Sequence, residues 1–83
     1  MRKYAVVVEK GSNNLSAYVP DLPGCVTTGK TLEEVESNIR DAIQFHLEGL
    51  AQDGLAIPEP SSHAFEIELP VEPIAVRGVQ RIL

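Results

Sequence analysis

An α+β fold with the element order β-β-β-α-β is predicted by three features of this 83-residue chain. Two β-rich segments are separated by turn formers near the start, a capped amphipathic helix occupies the middle, and one further alternating segment follows it. Each element has an apolar side that needs a partner, and one long helix packed on one face of a mainly antiparallel sheet of three to four strands meets that need.

The opening stretch Lys3-Tyr4-Ala5-Val6-Val7-Val8-Glu9 is dense in β-branched and aromatic residues and too short for an average helix. It reads as a strand buried on both faces near its middle. Lys10-Gly11-Ser12-Asn13-Asn14 is a run of turn formers, which marks a hairpin loop. Leu15, Ala17 and Val19 then alternate with Ser16 and Tyr18, the period-2 pattern of a second strand with one packed face. In Pro20-Asp21-Leu22-Pro23-Gly24 the last two residues fit the central positions of a type II turn, where Pro fixes the first φ and Gly takes the positive one. Cys25-Val26-Thr27-Thr28 follows as a short third strand antiparallel to the second.

Thr31-Leu32-Glu33-Glu34 is a capping box, in which the Thr hydroxyl accepts from the third helical N–H and the Glu34 carboxylate reaches back to the cap. Leu32, Val35, Ile39, Ala42, Ile43, His46, Leu47 and Leu50 then recur on one side at helical spacing. Gly54 suits the left-handed position just past the end, with Leu55 packing back on Leu50 as in a Schellman cap. A helix over 31–53 is about 34 Å long at ~1.5 Å per residue, enough to cross a small sheet diagonally. Ala56-Ile57-Pro58-Glu59-Pro60 cannot continue it and forms an extended return stiffened by two prolines. Phe65, Ile67 and Leu69 alternate with Glu66 and Glu68, which predicts a last strand with three apolar side chains toward the helix and two carboxylates toward water.

Eighty-three residues make one domain, near the size at which a single core gives modest stability and association becomes useful. Twelve acidic against seven basic residues leave a net charge of −5. That balance argues against duplex DNA binding by the chain alone and points to a basic partner. No apolar run approaches the ~20 residues needed to cross a bilayer, so a cytoplasmic location is expected. One cysteine supplies neither an internal disulfide nor a zinc site.

No catalytic constellation emerges. Two-metal nuclease chemistry needs several carboxylates converging on strand centres, whereas Glu9 ends its strand and Glu66 and Glu68 read as a solvated face. Cys25 and His46 could be nucleophile and base, yet no acid is placed to orient the histidine, and a buried cysteine commonly serves as a small hydrophobe. His46 lies in the middle of the apolar stripe, where a hydrogen-bonded core or interface role outweighs a pH-sensing one. His63 belongs to a Ser-rich approach to the last strand. The expectation is a non-enzyme without cofactor or metal.

Three motifs occur together at fitting spacing: Tyr18-Val19-Pro20-Asp21-Leu22-Pro23-Gly24-Cys25, then Thr28-Gly29-Lys30-Thr31-Leu32-Glu33-Glu34, then Gly54-Leu55-Ala56-Ile57-Pro58-Glu59-Pro60-Ser61 after the helix. In this order they resemble the signature of the HicB antitoxin family, over roughly residues 3–69. The resemblance implies a partial ribonuclease-H-like β-β-β-α-β domain that binds and inhibits a small basic HicA-type toxin. Such toxins have a double-stranded-RNA-binding-like fold and cleave mRNA with a histidine. Many members of the family continue into a DNA-binding domain; the residues after Leu69 are too few for one, so residues 1–69 are expected to form the HicB-like domain and 70–83 a short tail. Two other classes stay open, an orphan oligomeric interaction domain and a transcriptional regulator that gains DNA binding through a partner.

The candidate partner-binding residues are Tyr18, Asp21, Leu22, Glu34, Phe45 and Glu48. Glu33, Glu34, Asp41 and Glu48 on the polar side of the helix supply charge to steer a basic partner. Phe45 points away from the apolar stripe beside Asp41, Asn38 and Gly49, and with Tyr18 and Leu22 it is a candidate anchor; Leu22 can instead pack inside its turn. Glu36 stands four residues before Arg40, an ion-pair spacing. The small core, the off-face Phe45 and the apolar tail 74–83, which can add a strand to its own sheet or to that of a second copy, predict a homo-oligomer, most simply a dimer.

Overall fold

The computed structural model describes residues 2–71. Three strands, β1 (Val7–Lys10), β2 (Leu15–Tyr18) and β3 (Val26–Gly29), form an antiparallel sheet in the order β1-β2-β3, and one helix, α1 (Leu32–Gln52), follows them. This is the α+β architecture predicted. The register places Val8, Ala17 and Thr27 in one cross-strand row and Val7, Tyr18 and Val26 in the next. Because side chains alternate along a strand, the first row faces α1 and the second faces away from it.

Val19, Leu22 and Cys25 from the β2–β3 connection meet Ala17, Val35 and Ile39 in the buried core, with Tyr4, Val6, Leu15, Ala42, Ile43 and Leu47 packed around it. Leu22 is at the centre, 0% exposed. Two successive turns carry it inward: the Leu22 N–H donates to the Val19 carbonyl at 3.0 Å, and the Cys25 N–H to the Leu22 carbonyl at 3.0 Å. Gly24 has φ 85°, as the type II turn requires.

The helix ends are closed by local chemistry. The Thr31 hydroxyl accepts from the Glu34 N–H at 3.1 Å, and the Glu34 carboxylate accepts from the Lys30 N–H, one residue earlier than a standard capping box. At the far end the Leu55 N–H donates to the Leu50 carbonyl and the Gly54 N–H to that of Ala51, the bond pair of a Schellman motif, with Gly54 at φ 71°.

Helix and sheet differ in length. Four-residue strands span about 13 Å, whereas the 21 residues of α1 span about 31 Å. Only Val35 and Ile39 of the helix are fully buried, and α1 lies over β3 and β2, leaving β1 uncovered. The expectation of a first strand buried on both faces is corrected accordingly. The ladder covers only Val7–Lys10, and Val8, on the helix-facing side, is exposed, because an edge strand beyond the helix has nothing packed over it.

After Gly54 the chain returns across the end of the sheet where β1 begins. The Tyr4 hydroxyl donates to the Pro58 carbonyl, Arg2 pairs with Glu59 at 3.0 Å, and Asp21 takes four hydrogen bonds. Its Oδ2 accepts from the Ser61 and Ser62 N–H groups at 2.8 and 3.0 Å, and its Oδ1 from their hydroxyls at 3.0 and 2.8 Å. Beyond this clamp the expected last strand is absent from the sheet. Phe65, Ile67 and Leu69 are exposed, Phe65 by 79%, and they do not face the helix. Alternation in sequence sets which side chains share a face, but a strand also needs a neighbour to pair with. The tail 74–83 lies outside the described residues.

Two stability measurements follow from this packing. A Cβ at Gly29 would stand 2.9 Å from Val35 Cγ2 and 3.1 Å from the Val35 backbone nitrogen, so Gly29→Ala is expected to lower stability in urea by about 1–3 kcal/mol, as overpacking does. Gly49, where a Cβ meets nothing within 4 Å, sits inside the helix, and Gly49→Ala is expected to raise stability by about 0.5–1 kcal/mol. The Ser61 and Ser62 backbone N–H groups, with the serine hydroxyls, hold the Asp21 carboxyl down to about 2 from 3.8. Its contribution is therefore complete above the ordinary carboxylate range and is lost as pH falls through about 2. The Asp21 carboxyl carbon shift should titrate near pH 2; a midpoint near the ordinary value would mean that the clamp does not form.

Candidate functional site

The sequence-predicted partner residues divide into three places. Glu34, Phe45 and Glu48 share one stripe of α1. Counted from Glu34, positions i+7, i+11 and i+14 hold Asp41, Phe45 and Glu48, which fall on one side of a helix with 3.6 residues per turn. Phe45 is 78% exposed in the middle of this stripe, flanked by Asp41 and Glu48.

The stripe begins beside the β3 edge of the sheet. The Asn38 amide donates to the Thr28 carbonyl at 2.9 Å, and Glu34 bonds the backbone just after β3, so the N-terminal part of that flank is tied to the strand. Asn38 also covers one of the carbonyls that an edge strand leaves open, which reduces unwanted pairing there. On the far face of the same edge, Val26 and Tyr18 are exposed neighbours in the outward cross-strand row. Tyr18 and Val26 thus border β3 on its outward face, while Phe45 with Asp41 and Glu48 continues the α1 flank beyond the part tied to β3.

Leu22 and Asp21 stand elsewhere. Leu22, the third anchor candidate, is buried under its turn and offers no surface, so its role is to hold the core. Asp21 is engaged by Ser61 and Ser62 and fixes the return segment. Nothing local in the sequence signals this clamp, since its partners lie 40 and 41 positions away. The one clue is that the Pro-Asp-Leu-Pro-Gly and Ile-Pro-Glu-Pro-Ser motifs occur in one chain, and the structure brings them together. Val26 was also missed, because alternation in a short strand next to a cysteine does not say which face is covered.

The remaining titratable groups have structural surroundings. Burial pushes the Cys25 thiol above its ordinary value, which disfavours the thiolate a nucleophile would need. His46 is half-buried on the packed side of the helix and His63 is exposed. Glu36 and Arg40 form the expected ion pair at 3.3 Å, both well exposed, a geometry of small energetic weight. Among the described residues no group of three or more His, Cys, Asp or Glu side chains is placed to hold a metal ion, and no helix is long and apolar enough to cross a membrane.

Comparison with known proteins gives a consistent answer. Residues 4–71 match the family model described as HicB_like antitoxin of bacterial toxin-antitoxin system. A UPF0150 protein of Thermoplasma acidophilum is 35% identical over 66 residues, 78% of this chain and 96% of that protein. A UPF0150 protein of Helicobacter pylori is 48% identical over 50 residues, 60% of this chain and 69% of that one. An uncharacterized 14.9 kDa protein of Haemophilus phage HP1 is 39% identical over 68% of this chain, which spans only 42% of the phage protein. Among solved structures, a chain of the HicA3 and HicB3 toxin-antitoxin complex superposes with a TM-score of 0.64 at 28% identity, covering 72% of this chain and 70% of that one. With a capped helix on a three-stranded antiparallel sheet and a family match running from Tyr4 to Val71, the chain belongs to the HicB-like antitoxins of bacterial toxin–antitoxin systems.

Proposed function

We propose that this protein binds a basic, mRNA-cleaving HicA-type toxin and inhibits it by covering its RNA-binding surface, without catalysis of its own. The observation that carries this reading is the likeness to a chain of a HicA3 and HicB3 complex, joined to a family match over most of the chain. The net charge of −5 suits a partner built to hold RNA. The same charge, with 12 acidic against seven basic residues, supports a protein that binds no DNA by itself. A cytoplasmic location follows from the proposed role, because mRNA is the toxin's target.

The surface proposed for the toxin is the β3 flank. Asp41 and Glu48 supply attraction, Phe45 an apolar anchor, and Tyr18 with Val26 a second contact around the strand edge. Glu34 also contributes charge, but its carboxylate is committed to the helix cap, so its replacement would disturb folding as well as binding. Long-range attraction acts mainly on the association rate, while buried anchors govern release. The two groups of residues are therefore expected to separate in kinetics.

The test is surface-binding kinetics against a HicA-type toxin, sought first among the open reading frames adjacent to the chain's gene. The Asp41→Asn, Glu48→Gln double variant is expected to slow association and flatten its salt dependence. Phe45→Ala is expected to speed dissociation at a cost of about 1–3 kcal/mol, the range of ordinary hot spots, and Tyr18→Ala to act in the same direction. Wild-type kinetics for all of these folded variants would show that the toxin docks elsewhere, and failure of the wild-type chain to bind or inhibit any HicA-type toxin would contradict the function itself.

A further inference from the structure

From β1 outward the molecule has an unfilled place and an unplaced strand. Between β1 and the near flank of α1 runs an open groove of about 570 Å³ whose apolar walls include Tyr4, Val6 and Val8 on one side and Leu32, Ile39 and Ile43 on the other. It exists because α1 lies over β3 and β2 only. β1 is also an edge strand, so its outer side offers backbone N–H and C=O groups for pairing.

Residues 65–71 have the complementary form. Phe65, Ile67, Leu69 and Val71 alternate with Glu66, Glu68 and Pro70, and the four apolar side chains are 69–88% exposed. Beyond Ser62 the segment makes no hydrogen bond to the described residues, and it contributes nothing to the groove lining. It is directed away from its own body, as the radius of gyration of 17.5 Å shows against about 11 Å for a compact chain of this size.

We propose that this arm pairs with β1 of a second copy and fills that copy's groove, each chain donating its arm to the other in a two-fold symmetric dimer. The match is one of period and length. Tyr4, Val6 and Val8 recur every second residue along the groove, as do Phe65, Ile67 and Leu69 along the arm, and both five-residue stretches are about 17 Å long at ~3.3 Å per residue. Charge favours one register. Lys3, in the segment leading into β1, and Glu9, within it, stand at opposite ends of the outward row, so Glu66 and Glu68 belong toward the Lys3 end. A closed exchange of identical segments pairs the β1 edges of both chains at once. The Asp21 clamp on Ser61 and Ser62 fixes where the arm leaves its own sheet. The proposed toxin surface lies on the opposite edge, at β3, so this dimer does not depend on toxin binding.

The test contains this chain alone. Light scattering at concentrations on the order of tens of micromolar is expected to give twice the chain mass, and Ile67→Asp to return it to the monomer. Mixing Val8→Cys chains with Ile67→Cys chains and adding a short bifunctional maleimide is expected to yield a covalent heterodimer, since both positions are exposed and Cys25 is buried. A monomeric wild-type mass, a dimer that survives Ile67→Asp, or a chain bearing both cysteines that closes only on itself would each overturn the proposal.

Discussion

Everything in this fold hangs on the contact between the first two turns of α1 and the inner face of β2 and β3. Val35 and Ile39 press on Ala17, Val19, Leu22 and Cys25, and these six side chains are the fully buried hydrophobic residues among those described. So small a core leaves little margin, which is why its borders are fixed by specific local devices. Gly29 lets the helix come within contact of the sheet, Thr31 and Glu34 start the helix at the point of contact, and the double turn around Leu22 delivers the largest buried side chain to the centre. Removal of any of these would misplace Val35 relative to β2.

The same contact explains what is left uncovered. A helix of about 31 Å centred on two short strands cannot also cover the third, and its second half runs past the sheet, so Ala42, Ile43 and Leu47 stay half-buried. The two edges of the sheet thus become different surfaces. At β3 the helix flank is tied down by Asn38 and presents carboxylates around Phe45. At β1 the ties lie ahead of the strand, from Tyr4 to Pro58 and from Arg2 to Glu59, and the apolar wall faces an open groove. A small domain with two unlike edges can take an unlike partner on one and a copy of itself on the other.

How legible this was in the sequence depends on how local each feature is. The helix is set by Thr31 and Glu34 at one end and Gly54 at the other, and the predicted span 31–53 contains Leu32–Gln52 with both caps in place. The hairpin, the type II turn and the Glu36–Arg40 pair are equally local, and all appear as read. Features that depend on neighbours distant in sequence were not legible. Alternation at Phe65, Ile67 and Leu69 indicated a strand but could not say whether a partner strand was present, and Val8 looked buried because its composition carries no sign that the helix lies to one side. The candidate site divides in the same way. Phe45 was recognisable as off-face from helical spacing alone, while Leu22 and Asp21, equally eligible by motif, are engaged within the chain, Leu22 in the core and Asp21 by the serines of the return segment, through contacts that only the folded structure brings together.

The central claim is that the two edges of the sheet have separate tasks, β3 with the α1 flank for the toxin and β1 for the chain's own copy. Amide hydrogen exchange of the chain, alone and saturated with a HicA-type toxin that it binds, addresses this directly, because protection reports which segments a partner covers. The account predicts slower exchange in Val26–Gly29 and along residues 38–49 of the helix when toxin is added, with β1 and residues 65–71 unchanged. Toxin-dependent protection confined to β1 and the groove beside it, with β3 and the Phe45 stripe unaffected, would contradict it.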